Sequence, residues 1–325
     1  EMSFRSIRHL SYSSRFVEAL TNCSLRNSLA VVALTSTLAH GALASEIVRV
    51  DTDTGSFVLE MYSDIAPVTV ANFLSYVNTG AYENTIIHRK VNNFVIQGGG
   101  FFYNPELGDI SGINVGPAIV NEFNRSNIRG TIAMAKVGGD PNSATSQWFI
   151  NLGDNSANLD SQNGGFTVFG KVLGTGMTAV DAVGALQTVN VTGAMSFSDV
   201  PILSLSGNTI ADADFVNVSM TALSTSSKFD SGKLSVALNA GAIGQAWVDF
   251  AITQSAPETI ITLIPTSTLF IDKVLEEMAT FDGLSGTLSI PELELNGEVA
   301  YTNVVFKLTD AQTYSFTLQS FDEAP

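Results

Sequence analysis

The sequence predicts a mainly β chain of two domains. Three observations carry that expectation. Apolar residues alternate in short segments such as Ser56–Tyr62, and Gly- and Asn-rich loops separate such segments over residues 85–150. Only two stretches before residue 221 carry the helical period, and the β-type patterns that follow a Ser/Thr-rich stretch at 221–227 recur in two faint copies.

Taken in order, Asp51-Thr-Asp-Thr-Gly55 reads as a hairpin turn leading into a strand with Phe57, Leu59 and Met61 on one face. Its D-x-D-x-G spacing is no calcium loop, because Tyr62 stands where the ligating Glu would be. Pro67 opens a helix carrying Val70, Phe73, Leu74 and Val77 on one stripe, with Gly80 as its stop. A second helix is expected over 176–187, with Ala179, Val183 and Leu186 aligned, and Phe215–Met220 as the closing strand. Beyond the linker expected at 221–227, Phe229-Asp230-x-Gly232-x-Leu234 resembles Phe281-Asp282-Gly283 followed by Gly286-x-Leu288. Trp247-x-x-Phe250 likewise resembles Tyr301-x-x-Val304. Each copy alone is marginal for a core, so the two are expected to form one sandwich-like unit burying Phe229, Trp247, Phe281 and Tyr301. Only Ile271–Met278 reads as helical there.

The N-terminus reads as an export signal. Arg5, Arg8, Arg15 and Arg26 precede the apolar run Leu29–Leu34, and Ala42-Leu43-Ala44 forms a small-x-small cleavage pattern before Ser45. The run is too short for a membrane span. The expected organisation is a signal peptide at 1–44, a first domain at 45–223 and a β-rich domain at 224–325, with the mature chain periplasmic or secreted.

Composition narrows the chemistry. The 325 residues are 45% hydrophobic, with 15 Lys and Arg against 31 Asp and Glu, a formal charge of −16. Nucleic-acid binding and docking on anionic lipid both need clustered cations, so neither is expected. Losing residues 1–44 removes the only cysteine, Cys23, and two of the three histidines, leaving His88. Thiolate catalysis, disulfides, Cys-based zinc and multi-His metal centres are thereby excluded from the mature chain. Any reaction must rely on Arg, carboxylates, amides, hydroxyls or shape, with no metal or cofactor.

Three segments carry the chemistry: Ile87-His88-Arg89 running through Phe94-Val95-Ile96-Gln97-Gly98-Gly99-Gly100-Phe101; Gly130–Lys136 with Ser143–Asn151; and Phe166–Val172. Together they resemble the cyclophilin family of peptidyl-prolyl cis-trans isomerases over residues 46–220, most of all its secreted bacterial members. The resemblance implies a closed eight-stranded antiparallel barrel capped by two helices, and rotamase activity on proline-containing peptides and unfolded exported proteins. It implies Arg89 and Gln97 as the catalytic residues and Gln147 as a second backbone anchor. Phe94, Val95, Phe149 and Leu159 would form the proline pocket, with Ala135 on its rim and Phe166 on the outer wall. A monomer is expected. Asn92-Asn93 replaces the family's usual Pro-Gly turn, Val95 a common methionine, Phe166 a His or Tyr, and Asn158 an aromatic; these changes bear on peptide preference.

The residues themselves point to the same chemistry. Rotating a prolyl amide breaks C–N resonance across a barrier of ~18–20 kcal/mol. The twisted nitrogen regains a lone pair, and a fixed Arg donor aimed at it binds the transition state better than either planar isomer. Two alternatives remain: a non-catalytic scaffold for proline segments, or an envelope or adhesion protein whose main role lies in residues 228–325. His88 is expected to be a structural, hydrogen-bonded histidine, Trp148 and Phe169 barrel core, and the Gly98–Gly100 run a site of close backbone packing rather than a phosphate loop.

The cleavage pattern sets a direct expectation. N-terminal sequencing of the exported protein should begin at Ser45, and an uncleaved product retained in the cytoplasm would contradict it.

Overall fold

The computed structural model describes residues 47–204, 210–223, 226–230, 232–275 and 278–324, so the expected signal lies outside the described residues. The chain divides into two compact units, Leu43–Leu223 and one containing Ser224–Pro325.

The first unit runs β1 (Ile47–Thr52), β2 (Gly55–Met61), α1 (Pro67–Asn78), β3 (Thr85–Ile86), β4 (Arg89–Val91), β5 (Val95–Gly98), β6 (Phe101–Asn104) and β7 (Asp109–Gly112). It continues through β8 (Thr131–Met134), β9 (Trp148–Asn151), α2 (Ser156–Leu159), β10 (Val168–Val172), α3 (Met177–Ala185), β11 (Gln187–Thr192), β12 (Ser196–Ile202) and β13 (Asn217–Leu223). Its main sheet has the order β4-β5-β9-β8-β10-β2-β1-β13-β3-β6-β7. The two ends meet because β3 and β4 are halves of one extended run. Ile87 N–H donates to Val216 O at 3.0 Å and His88 N–H to Gln97 O at 3.1 Å, joining β13 on one side to β5 on the other. With β3/β4 and β5/β6 each taken as one strand, and β7 set aside as an edge strand paired only with β6, eight antiparallel strands remain, the barrel that the family resemblance implies.

The barrel interior is filled from alternate positions. Ile96, Ile132, Trp148, Ile150 and Phe169 point inward, all at most 1% exposed. Val70, Phe73 and Val77 of α1, and Val180 and Val183 of α3, close onto the same core. Proline starts α1 where its missing N–H costs nothing, and no side chain of its own caps it. The cap comes from a distant loop: Glu122 accepts the N–H of Val68 at 3.2 Å and of Thr69 at 2.8 Å. Gly99, at φ +78°, lies against Trp148, and a Cβ there would meet the indole at 2.6 Å. The three-glycine run thus serves close packing.

A β11–β12 hairpin, which the sequence patterns did not disclose, rests on the barrel. Its Phe197 stacks edge-on against Phe101, with ring centroids 4.7 Å apart, and Val200 joins Ile86, Ile110 and Phe215 in a separate cluster.

Among the described residues the second unit is all β apart from one short 3-10 turn: β14 (Ser227–Asp230), β15 (Lys233–Asn239), β16 (Gln245–Gln254), β17 (Ile260–Ile271), β18 (Ala279–Asp282), β19 (Thr287–Leu295), β20 (Glu298–Asp310) and β21 (Ser315–Glu323). Each half supplies one short strand and three long ones. The short strand of each half pairs in parallel with the second strand of the other half, β14 with β19 and β18 with β15. The last strands of the halves pair antiparallel, centred on Ile261 and Phe316. Phe229, Val236, Phe250, Ile290, Tyr301 and Phe306 meet in one core, against which Phe281 packs.

Three expectations need correction. Residues 271–278 are not helical where described: Ile271 ends β17, and 272–275 are bend and coil. The β ladder opposite Gln245 holds Ile271 in strand, overriding its local helical pattern. Thr221–Leu223 complete β13, paired with Ile47–Arg49, and Ser227 begins β14, so most of the expected linker is strand. Trp247 is buried yet lies outside the shared core, because Ala246, Val248 and Phe250 take the inward positions of β16.

Because β13 ends the barrel at Leu223, a chain terminated there should melt cooperatively with native barrel spectra. Aggregation or a non-cooperative melt would show that the first unit depends on the second.

Candidate active site

The outer face of the barrel presents one row of side chains across five strands. Arg89 on β4 stands opposite Gln97 on β5, Gln97 opposite Phe149 on β9, Phe149 opposite Ala133 on β8, and Ala133 opposite Val168 on β10. Strict alternation puts these residues outside while their neighbours Ile96, Ile150 and Ile132 fill the core. Polar groups occupy one end of the row and an apolar patch the other.

At the polar end, the Arg89 guanidinium donates through Nη1 to Gln97 Oε1 at 3.3 Å, and Gln97 Nε2 donates to Gln147 Oε1 at 3.0 Å. All three side chains are half-buried, so the guanidinium is held at one edge and open at others. At the apolar end, Val95, Ala133, Phe149, Leu159 and Val168 form a cluster separate from the barrel core. Phe94, Ala135, Phe166 and Tyr62 pack around it, half-exposed. The Phe149 and Phe166 rings meet edge to face with centroids 5.8 Å apart. Lys136 Nζ donates to Asn163 O at 2.8 Å and Gly165 O at 2.6 Å and stands 4.8 Å from the Phe166 ring centroid, fixing that loop. Burial lowers the pKa of its ammonium.

The structure therefore brings Arg89, Gln97, Gln147, Phe94, Val95, Ala135, Phe149, Leu159 and Phe166 to one face of the barrel. Asn93 takes the left-handed conformation, φ 55°, that the Asn92-Asn93 turn requires. Asn158 is exposed beside the cluster. Sequence reasoning missed Ala133 and Val168, which floor the apolar patch; their alternation with inward Ile132 and Phe169 was the available signal. It also missed a buried amide cluster, Asn127, Asn151 and Asn155, beneath the same patch. Among the described residues no group of three or more metal-ligating side chains occurs.

A sequence model of the cyclophilin type peptidyl-prolyl cis-trans isomerase/CLD family matches residues 47–206. A peptidyl-prolyl cis-trans isomerase of Acinetobacter baylyi is 42% identical over 150 residues, which cover 45% of this chain and 76% of that protein. The chain belongs to the cyclophilin-type peptidyl-prolyl cis-trans isomerase family. A second relative, peptidyl-prolyl cis-trans isomerase B of Escherichia coli, is 42% identical over 148 residues, covering 44% of this chain and 86% of its own. A crystal structure of a Cryptosporidium parvum cyclophilin covers 55% of this chain and 98% of its own, with 22% identity and a TM-score of 0.40.

Next to the arginine of this cyclophilin domain, His88 is 4% exposed and sits edge-on to Phe101, ring centroids 4.8 Å apart. Burial pushes its imidazole down to about 4, while the Ile86 backbone and the Gln147 side chain act the other way. The folded chain therefore keeps His88 neutral at pH 7, and neutral imidazole avoids a second cation beside Arg89.

A folded pKa below the unfolded one means that the unfolded chain binds the extra proton between about pH 6.5 and 4. Stability of the first unit should fall across that window on acidification, by up to about 3 kcal/mol from His88. Urea titrations at pH 4 to 7 should show this slope in the native chain and a flatter one in His88→Gln. Equal slopes would contradict the assignment.

Proposed function

We propose that the first unit catalyses X-Pro bond rotation in exported proteins by the electrostatic route that Arg89 makes available. The observation that carries this reading is the row Arg89–Gln97–Phe149, which sets a guanidinium in line with an apolar patch of Val95, Ala133, Phe149, Leu159 and Val168 that offers a pyrrolidine ring a nonpolar seat. The ring would lie on Phe149 among Phe94, Val95 and Leu159, with Ala135 and Phe166 bordering it. Gln147, and the free valences of Gln97, would hydrogen-bond the flanking peptide backbone.

With the ring seated, rotation about the prolyl bond turns the nitrogen pyramidal, and its lone pair forms on the side facing Arg89. An arginine N–H donates to that lone pair only in the twisted state, so the bond lowers the barrier without stabilising either planar isomer. The Gln97 acceptor at 3.3 Å keeps the guanidinium oriented before the substrate arrives, which spares reorganisation at the moment of rotation. No proton is transferred and no covalent bond forms. Export is supported by the arginine-rich segment, apolar run and Ala42-Leu43-Ala44 pattern, and a monomer by the self-contained barrel site. A scaffold that only bound proline segments would have no use for a guanidinium held at the pocket edge.

Arg89→Ala should lower kcat/KM on a proline peptide about 10²-fold, about 3 kcal/mol of transition-state stabilisation, with KM little changed. Arg89→Lys should recover little, since a point charge lacks the planar fork. NMR exchange spectroscopy reads both, and near-native exchange in Arg89→Ala would overturn the mechanism.

A further inference from the structure

The sheet ladder fixes Phe149 and Val95, but three walls of the proline pocket stand off it. Phe94 sits in the β4–β5 turn, Leu159 at the end of the one-turn helix α2, and Phe166 in the loop before β10. Loops hold side chains less firmly than strands, and backbone bonds supply part of the restraint: Phe166 N–H donates to Leu159 O at 3.0 Å and Leu152 N–H to Phe94 O at 2.8 Å. The buried amides beneath the pocket add side-chain ties. Asn155 Nδ2 donates to Phe94 O at 2.8 Å and to Asn151 Oδ1 at 2.7 Å. Asn151, on the same face of β9 as Phe149, passes the chain on, its Nδ2 donating to Thr131 Oγ1 at 2.9 Å. Asn127 Nδ2 donates to Phe166 O at 3.0 Å and to Asp160 Oδ1 at 3.0 Å, and the Asn127 N–H reaches the same oxygen at 2.9 Å. The Asn155 N–H closes the loop onto Asn127 O at 2.9 Å. Asn127 and Asn151 are fully buried, and Asn155 is 8% exposed.

We propose that Asn127, Asn151 and Asn155, anchored by Asp160, are positioning residues that hold Phe94, Leu159 and Phe166 at the spacing a proline ring requires. Buried amides with their hydrogen bonds made are rigid, because opening any one leaves a donor or acceptor unpaired away from water. Each tie ends on a pocket residue's own carbonyl or on its immediate neighbour: Phe94 O, Phe166 O, and Asp160 next to Leu159. Arg89 and Gln97 lie outside the cluster. Loosening the cluster should therefore weaken binding of both planar isomers and the twisted state alike, which raises KM and leaves kcat in place.

This inference rests on the pocket assignment above, and the test separates the two. Steady-state isomerisation of a short peptide containing one Ala-Pro bond is measured with the full chain and three variants. Asp160→Ala, at a partly exposed position, should raise KM about five- to tenfold with kcat within twofold. Asp160→Asn, whose amide oxygen can accept both Asn127 bonds, should bring KM back to within twofold of native. Asn155→Asp keeps the shape, removes both donors, and should raise KM as Asp160→Ala does. A native chain inactive on the peptide would defeat the pocket assignment itself. With an active native chain, a native KM in Asp160→Ala and Asn155→Asp, an Asp160→Asn no better than alanine, or a fall in kcat alone would each overturn the positioning role.

Discussion

Strand register is the constraint on which the rest of the site depends. Side chains alternate across a strand, so each of β4, β5, β9, β8 and β10 must choose which residue set faces the barrel interior. Ile96, Ile150, Ile132 and Phe169 are apolar enough to win that choice, which leaves Gln97, Phe149, Ala133 and Val168 outside. A slip of one residue in β9 alone would drive Asn151 and Phe149 inward and expose Trp148 and Ile150. The burial free energy of the core therefore also fixes the lateral order guanidinium, amide, aromatic ring, aliphatic floor. The close fit of Gly99 on Trp148 locks the same register, because any side chain at that position would displace the indole.

Much of this was legible in the sequence, and where it was legible the reason is periodicity. The Val70, Phe73 and Val77 stripe behind Pro67 and the alternation around Gln147 and Phe149 report backbone geometry directly. What escaped was set by contacts distant in sequence. Glu122 caps α1 from a loop more than fifty residues away, a tie no local pattern records. The β11–β12 hairpin alternates only briefly, through Val189 and Val191, and is seated by contacts distant in sequence, Phe197 on Phe101 and Val200 in one cluster with Phe215. Asn127, Asn151 and Asn155 look like ordinary loop and strand-end polar residues until the fold buries them together. The Ser/Thr-rich stretch 221–227 resembled a linker although Thr221–Leu223 are strand, because threonine serves exposed strand positions as well as loops.

The second unit follows a different economy of form. Two similar halves exchange their short strands, so that β14 and β18 each bridge β15 and β19 and the sheet closes on itself. Closure removes open strand edges at that seam, which counters edge-to-edge association. A half of about fifty residues has little core of its own, and sharing Phe229, Phe250, Tyr301 and Phe306 gives both halves one. Where the unit deviates from its repeat is instructive too: Trp247 and Tyr301 align in sequence, yet only Tyr301 enters the common core, because β20 shifts register past Thr302.

In the proposed mechanism the register row holds the Arg89 guanidinium where the prolyl nitrogen develops its lone pair. A crystal structure with a bound peptide containing an Ala-Pro bond tests it most directly. The account predicts the pyrrolidine ring on Phe149, with an Arg89 N–H directed at the prolyl nitrogen and Gln97 still accepting from the guanidinium. A peptide seated elsewhere on the barrel, or an Arg89 turned away from the prolyl nitrogen, would contradict it.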